Sequence, residues 1–172
     1  NGKVVLAGYS LSSSGSNDFS VVRLNADGSL DTSFSGDGQT VIDVGGDDFA
    51  SNVVVQSDGK LVLGGYSINS GSADFSVVRL NADGSLDTSF GSSGQVVIDL
   101  GDYDQATSVV VQSDGKLVLA GSTGVVRLNA NGSLDTTFSG DGISTVASGI
   151  HTVKVLAGGQ LMLGSDSSVT RL

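Results

Sequence analysis

The chain has no proline, no cysteine and no tryptophan among its 172 residues. The lack of cysteine removes disulfides, zinc–thiolate sites and thiol nucleophiles together. Basic residues are scarce: 8 Lys and Arg stand against 18 acids, for a net charge of −10. A partner with a phosphate backbone needs a basic face, so nucleic acid is excluded, and anionic lipid surfaces are disfavoured for the same reason. Apolar runs are short, far below the roughly 18 residues of a membrane-spanning helix, so no membrane insertion is expected. None of these runs sustains a helical period. The sole histidine, His151, has no acid beside it in the sequence. It reads as a surface or satisfied core residue rather than a base.

What the chain does have is glycine, 26 residues of it, with Val, Leu, Ser and Asp. Short Val-rich runs punctuated by Gly, Asp and Ser are the composition of many strands joined by tight turns. The runs also repeat. "GKVVLAG" at Gly2 returns as "GKLVLGG" at Gly59, "GKLVLAG" at Gly115 and "GQLMLGS" at Gly159. "VVVQSDGKLVL" is identical at 53–63 and 109–119. "LNADGSLDTSF" stands at 24–34 and again at 80–90, and "LNANGSLDTTF" at 128–138.

Each full unit divides into four strand candidates, a to d. In the second unit these are 39–44, 51–57, 60–67 and 75–81. "SDGK" between b and c is a hairpin signal, because Asp-Gly tolerates the positive φ of a two-residue turn. "NADG" after d is a second turn formula. Strands b and c are apolar at nearly every position, so both faces should be covered. Repeated four-stranded units with sheets covered on both sides predict an all-β, β-propeller-like array of four-stranded antiparallel blades, about three and a half of them. One repeat array spans 1–172: a half blade at 1–24, blades at 25–80 and 81–128, and a degenerate terminal blade at 129–172. The eleven-residue phrase then reads as the end of d, a turn and the crossover into the next blade. Leu30, Leu86 and Leu134, with Phe34, Phe90 and Phe138, are placed to plug the gaps between blades.

The pattern "VVRLNADGSLDTSFSGDG…VVVQSDGKLVLAG" resembles the bacterial delta-sixty (delta-60) repeat, and the likeness covers essentially the whole chain. The resemblance implies an extracellular or cell-surface β-propeller and brings no catalytic residue or ligand with it. The last unit departs from it: "SGIHTVKVLAGGQ" replaces "ATSVVVQSDGK" and the acidic a–b loop is lost. Three and a half blades fall short of the four to eight of closed propellers. Other copies of the chain, or flanking repeats, are expected to complete the ring.

In a meander the a–b and c–d loops share one face, and the b–c and d–a turns share the other. The second face is nearly constant along this chain; the first varies, and variable loops on a rigid scaffold are where binding is usually encoded. That face carries Tyr9, Asp18, Asp47, Asp48, Tyr66, Asp74, Asp102, Tyr103 and Asp104. An acidic, aromatic-flanked surface suits a protein or glycan ligand, or Ca²⁺. The plainer alternative is that Phe19 and Phe75 enter the core while the aspartates solubilise loops. A second place for Ca²⁺ is the turn phrase, where Asp27, Asp31, Asp83, Asp87 and Asp135 offer carboxylates at alternating spacing. Against it, Asn131 replaces the acid in the third copy. A structural tie from the persistent Asp31, Asp87 and Asp135 to the strand-d arginines explains them as well.

No G-x-S-x-G elbow or phosphate-binding glycine loop is present, and no helix is predicted that could offer its N-terminus to phosphate. The expected function is a non-enzymatic extracellular repeat module, a scaffold, adhesion or interaction surface with no obligatory cofactor. The alternatives are a Ca²⁺-dependent or glycan-binding propeller, and a carbohydrate-active enzyme with its site at the propeller channel.

Overall fold

The structure, a computed structural model, describes residues 2–101, 103–145 and 149–172. These form fourteen strands and no helix. In chain order they are β1(Val4–Leu11), β2(Asn17–Leu24), β3(Gln39–Ile42), β4(Asp47–Val55), β5(Leu61–Asn69), β6(Ser72–Leu80), β7(Gln95–Ile98), β8(Ala106–Val111), β9(Leu117–Gly121), β10(Val125–Leu128), β11(Ile143–Ser144), β12(Ile150–Val155), β13(Leu161–Ser165) and β14(Val169–Arg171). They pair antiparallel into four meandering sheets: β1–β3, β4–β7, β8–β11 and β12–β14. The architecture is the all-β array of propeller-type blades that the repeats predict.

One strand of each unit is grouped differently from the expectation. Strand a closes the sheet before it instead of opening the sheet after it. β3 pairs with β2 from Phe19↔Ile42 to Val22↔Gln39, and β7 pairs with β6 in the same register. The sheets therefore run b-c-d-a, and the boundaries expected after residues 24, 80 and 128 fall inside sheets. The cause lies in "LNADGSLDTSF", which folds back on itself. Asn25 N–H donates to the Ser29 carbonyl, Asp31 N–H to Arg23, and Phe34 N–H to Asp31. Leu24 bridges Leu30 antiparallel. A connection this compact returns the chain beside strand d. The crossing to the next sheet is the a–b loop instead, which spans only 43–46 between the first and second sheets.

Successive sheets stack through apolar side chains, and each interface holds its own core. Phe19, Val21 and Ile42 of the first sheet meet Leu61, Leu63, Val78 and Leu80 of the second. Val62, Phe75 and Val77, on the opposite side of that second sheet, meet Val109, Leu117, Leu119, Val126 and Leu128 of the third. Val118, Ala120 and Val125 meet Ile150, Val153, Leu161 and Leu163 of the fourth. An inner sheet is thus covered on both sides, which is why b and c lack an apolar–polar alternation. Phe34 and Phe90, in the d–a connections, are fully buried in the first and second interfaces, and Phe138 packs at the edge of the third. The leucines do less than expected. Leu30 and Leu134 remain well exposed, and Leu86 alone of the three packs against a core.

The same connection carries a polar clasp, built three times. The Asp31 Oδ2 accepts from Lys3 Nζ at 2.5 Å and Arg23 Nε at 2.6 Å. The Asp87 Oδ2 accepts from Lys60 at 2.8 Å and Arg79 at 2.7 Å, and Asp135 from Lys116 at 2.9 Å and Arg127 at 2.6 Å. The second oxygen of each aspartate accepts from the hydroxyl of Ser33, Ser89 or Thr137. The lysine comes from the "GK" of the b–c hairpin and the arginine from strand d, so the aspartate ties both strands to the d–a connection. Each guanidinium also lies over a phenylalanine ring, 4.6 Å from Phe34, 4.5 Å from Phe90 and 4.7 Å from Phe138. That geometry adds a cation–π attraction to the pairing.

Two of the clasps reach into the next sheet. Arg23 Nη1 donates to the Ala82 carbonyl at 2.5 Å, and Arg79 Nη1 to Ala130 at 2.6 Å. Beside them Ser35 N–H donates to the Asp83 carbonyl and Gly91 N–H to Asn131. The turn glycine, Gly84 at φ +92°, sits directly over the Phe34 ring, where a Cβ would lie 3.0 Å from the ring carbon. Glycine is required there twice over, by its backbone angle and by the close approach.

Truncation of Phe90 to alanine removes a fully buried ring from the second interface. It is expected to cost about 3–5 kcal/mol in urea unfolding. Asp87→Asn leaves Arg79 and Lys60 without their countercharge and should cost about 3 kcal/mol. Asp83→Asn should stay within about 0.5 kcal/mol, since Asn131 already fills that position in the third copy. For acid, the sign follows from depressed carboxylates. Lys3 and Ser33 hold Asp31 well below the ordinary 3.8, and Lys116 and Thr137 do the same for Asp135. At Asp87 burial pushes upward, but Lys60 and Ser89 outweigh it. This stability is complete above pH 3.8 and is lost as the pH falls below it, so thermal melts should decline steeply in that acid range.

Candidate functional site

The loop face gathers where the a–b loops lie against the c–d hairpins. Asp47 accepts from the Asn17 backbone N–H at 2.8 Å and from its side-chain amide at 3.2 Å, fastening the second sheet to the first c–d loop. Asp104 N–H donates to the Ala73 carbonyl at 2.6 Å, the corresponding tie between the third and second sheets. In β4 and β8 the ladder shifts by one residue, between Ala50 and Asn52 and between Ala106 and Ser108. Opposite these bulges stand Gly65 and Gly121, where any Cβ would overlap the carbonyl oxygen of Phe49 or Gln105. The bulges let strand b bend into the a–b loop, and the acidic residues lie at that bend.

Three aspartates of this face are buried rather than solvating a loop. Asp18 is nearly buried, and Asp48 and Asp104 are 0 % exposed. The Asp48 Oδ2 accepts from the backbone N–H of Val44 at 2.7 Å and of Gly45 at 3.3 Å, and the Asp104 Oδ2 from Leu100 at 2.6 Å. The other oxygen of each, and Oδ1 of the half-buried Asp74, has no hydrogen-bond partner. Burial pushes the Asp48 carboxyl above its usual range, with the Ser67 hydroxyl and the Val44 N–H pulling the other way. Burial likewise raises Asp74, helped by the neighbouring charges of Asp99 and Asp104.

These side chains meet in two equivalent clusters. One oxygen from each of Asp18, Asp43 and Asp48 lies within 4.8 Å of the others, and the same holds for Asp74, Asp99 and Asp104. In each cluster the first residue comes from strand d, the second follows strand a, and the third lies at the entry to strand b of the next sheet, inside β4 for Asp48 and just before β8 for Asp104. Asp43 and Asp99 are missing from the expected set. The signal that could have found them is numerical: 18 to 74, 43 to 99 and 48 to 104 are all steps of 56.

The aromatic residues form a ladder beside the acids. Tyr9 and Phe49 meet edge to face at 4.8 Å, and Phe49 stacks on Tyr66 at 5.1 Å. Tyr9 and Tyr103 are exposed, while Tyr66 is half-buried with its hydroxyl pKa raised, chiefly by burial. Phe19 and Phe75 are fully buried in the sheet interfaces, as the plainer reading of this face had it. Asp102, also expected on this face, lies outside the described residues.

The turn carboxylates proposed for Ca²⁺ are engaged differently. Asp31, Asp87 and Asp135 are the clasp residues, so a divalent cation there would meet an ammonium and a guanidinium. The Asp27 and Asp83 side chains accept from the backbone and hydroxyl of Ser29 and Ser85, closing their own turns. Asn131 does the same for Ser133, which explains why the third copy tolerates the change. The fourth unit has Gln160 at the lysine position, and Arg171 donates to its side-chain carbonyl. His151 finds an acid through the fold: its Nε2 lies 2.9 Å from Asp166 across an exposed surface.

A family model described as a domain of unknown function (DUF5122) beta-propeller matches residues 1–34, 56–90 and 112–138. The three matched stretches are the three copies of c, d and the clasp connection. No curated protein matches the chain. With more than half its residues matched, and with its sheets stacked as blades, the chain belongs to this DUF5122 β-propeller family.

Proposed function

We propose that the chain is a non-enzymatic module of an extracellular or bacterial cell-surface protein, of the delta-sixty repeat kind, and that it serves as a scaffold and interaction surface. The observation that carries this reading is the bare apolar side of the first sheet. Val4 and Leu6 are 48 % and 53 % exposed. Leu61 and Leu63, which hold the same repeat positions in β5, are 1 % and 0 % exposed beneath a neighbouring sheet. A surface patterned like an internal interface is suited to cover by another blade, from a second copy of the chain or from flanking repeats. Met162 and Val169 leave an apolar surface on the fourth sheet as well.

The non-enzymatic part of the reading draws on where the faithful repeats go: the Lys, Arg, Asp and Phe of the first three copies are taken up in the clasps. The surface location draws on the acidic charge, the absence of cysteine and the delta-sixty resemblance. No described helix is long and apolar enough to cross a membrane. The Tyr9–Phe49–Tyr66 ladder favours the loop face as the place where a protein or glycan ligand would be met.

Size-exclusion chromatography with light scattering at micromolar concentration should give a mass above that of one chain. Leu6→Lys, which puts a charge in the bare apolar side, should lower it. A wild-type chain that stays a monodisperse monomer would overturn the proposal.

A further inference from the structure

We infer that the two aspartate clusters of the loop face are calcium sites, one between the first and second sheets and one between the second and third. Calcium binds oxygen at about 2.4 Å, so two oxygens sharing one ion can be no more than about 4.8 Å apart. The three carboxylates of each cluster meet that limit. Asp48 and Asp104 supply the second, independent observation. Each is fully buried, each is held by the a–b loop backbone through Oδ2, Asp48 by two N–H groups and Asp104 by one, and each leaves its Oδ1 without a partner. A buried carboxylate oxygen with no donor is costly unless a cation meets it.

Among the described residues, no lysine or arginine pairs with any of the six aspartates; the cations of the first three repeats are engaged in the clasps. The donor set is all oxygen, with no histidine in either cluster. Such a set suits a hard cation, and mixed buried and exposed carboxylates suit the flexible geometry of Ca²⁺ better than the strict octahedron of Mg²⁺. The chain also contains its own comparison. At the third junction Ser122 stands where Asp74 stands in the second, and no acid occurs between Asp141 and Asp166. The three carboxylates are present together twice and lost together once, as a ligand set would be. The exposed Asp43 and Asp99 then act as rim ligands, and the buried Asp48 and Asp104 as floor ligands anchored by the a–b loop.

The inference is independent of how blades associate, and the full chain tests it. Isothermal titration with CaCl₂ after chelator treatment should give two ions per chain, with affinity between about 10 µM and about 1 mM. The thermal midpoint should rise with Ca²⁺ and return with chelator. Asp43→Asn and Asp99→Asn, both at exposed positions and checked for the wild-type β circular dichroism in chelator, should each bind one ion, and the double variant none. Asp37→Asn, an exposed acid outside both clusters, should still bind two. Absence of saturable binding and of any shift in the melt at about 10 mM Ca²⁺, well above that range, would overturn the inference. Two ions still bound by the Asp43→Asn/Asp99→Asn double variant would overturn it as well.

Discussion

An aspartate set between a lysine and an arginine, with a phenylalanine ring under the guanidinium, is the contact on which the rest of this structure depends. Sheets that stack only through Val and Leu could slide, because apolar attraction has no direction. The clasp supplies direction. Its lysine comes from one turn, its arginine from strand d, and its aspartate from the connection that returns the chain. In the first two copies the arginine then bonds a carbonyl of the next sheet, which fixes the rotation of one blade against another. Because Asp87 and Arg79 are both largely buried, the pair matters more than an exposed one of the same length.

This arrangement divides the labour between the two faces. The turn face carries the clasps and so varies little from unit to unit. The loop face also ties neighbouring sheets, through Asp47 to Asn17 and Asp104 to Ala73, but its c–d hairpin changes along the chain, long in the first two sheets and reduced to 122–124 in the third. Where the clasp weakens, the unit around it changes too. Gln160 replaces the lysine in the fourth unit, and that unit also lacks the acidic a–b loop.

Much of the fold is legible in the sequence because it is local and repeated. "SDGK" marks each of the first complete hairpins, the strands follow from short Val-rich runs, and the buried phenylalanines follow from their recurrence. The tie from Asp to the strand-d arginine is legible for the same reason, since only eight residues separate the two. The lysine is not, because it reaches Asp31 from 28 residues away. The pairing of strand a is not legible, since a four-residue strand carries no mark of which neighbour it joins; the folding of Asn25–Phe34 decides that it closes the sheet before it. This regrouping also hid the clusters. In the expected grouping Asp18 and Asp43 fall in separate blades; β3 pairing with β2 brings them into one sheet, and Asp48 joins them from a third strand on the next sheet. The burial of Asp48 and Asp104 could not be read from loops that look solvated letter by letter.

The most direct test of the clasp is equilibrium unfolding of Arg79→Lys in urea. A lysine keeps the charge and can meet Asp87, but it cannot also bond the Ala130 carbonyl and lie flat over Phe90. The predicted result is a loss of about 2 kcal/mol, from one buried hydrogen bond and the ring contact together. Unchanged stability in Arg79→Lys would mean that a positive charge near Asp87 is enough, and that the sheets are held in register by something other than this contact.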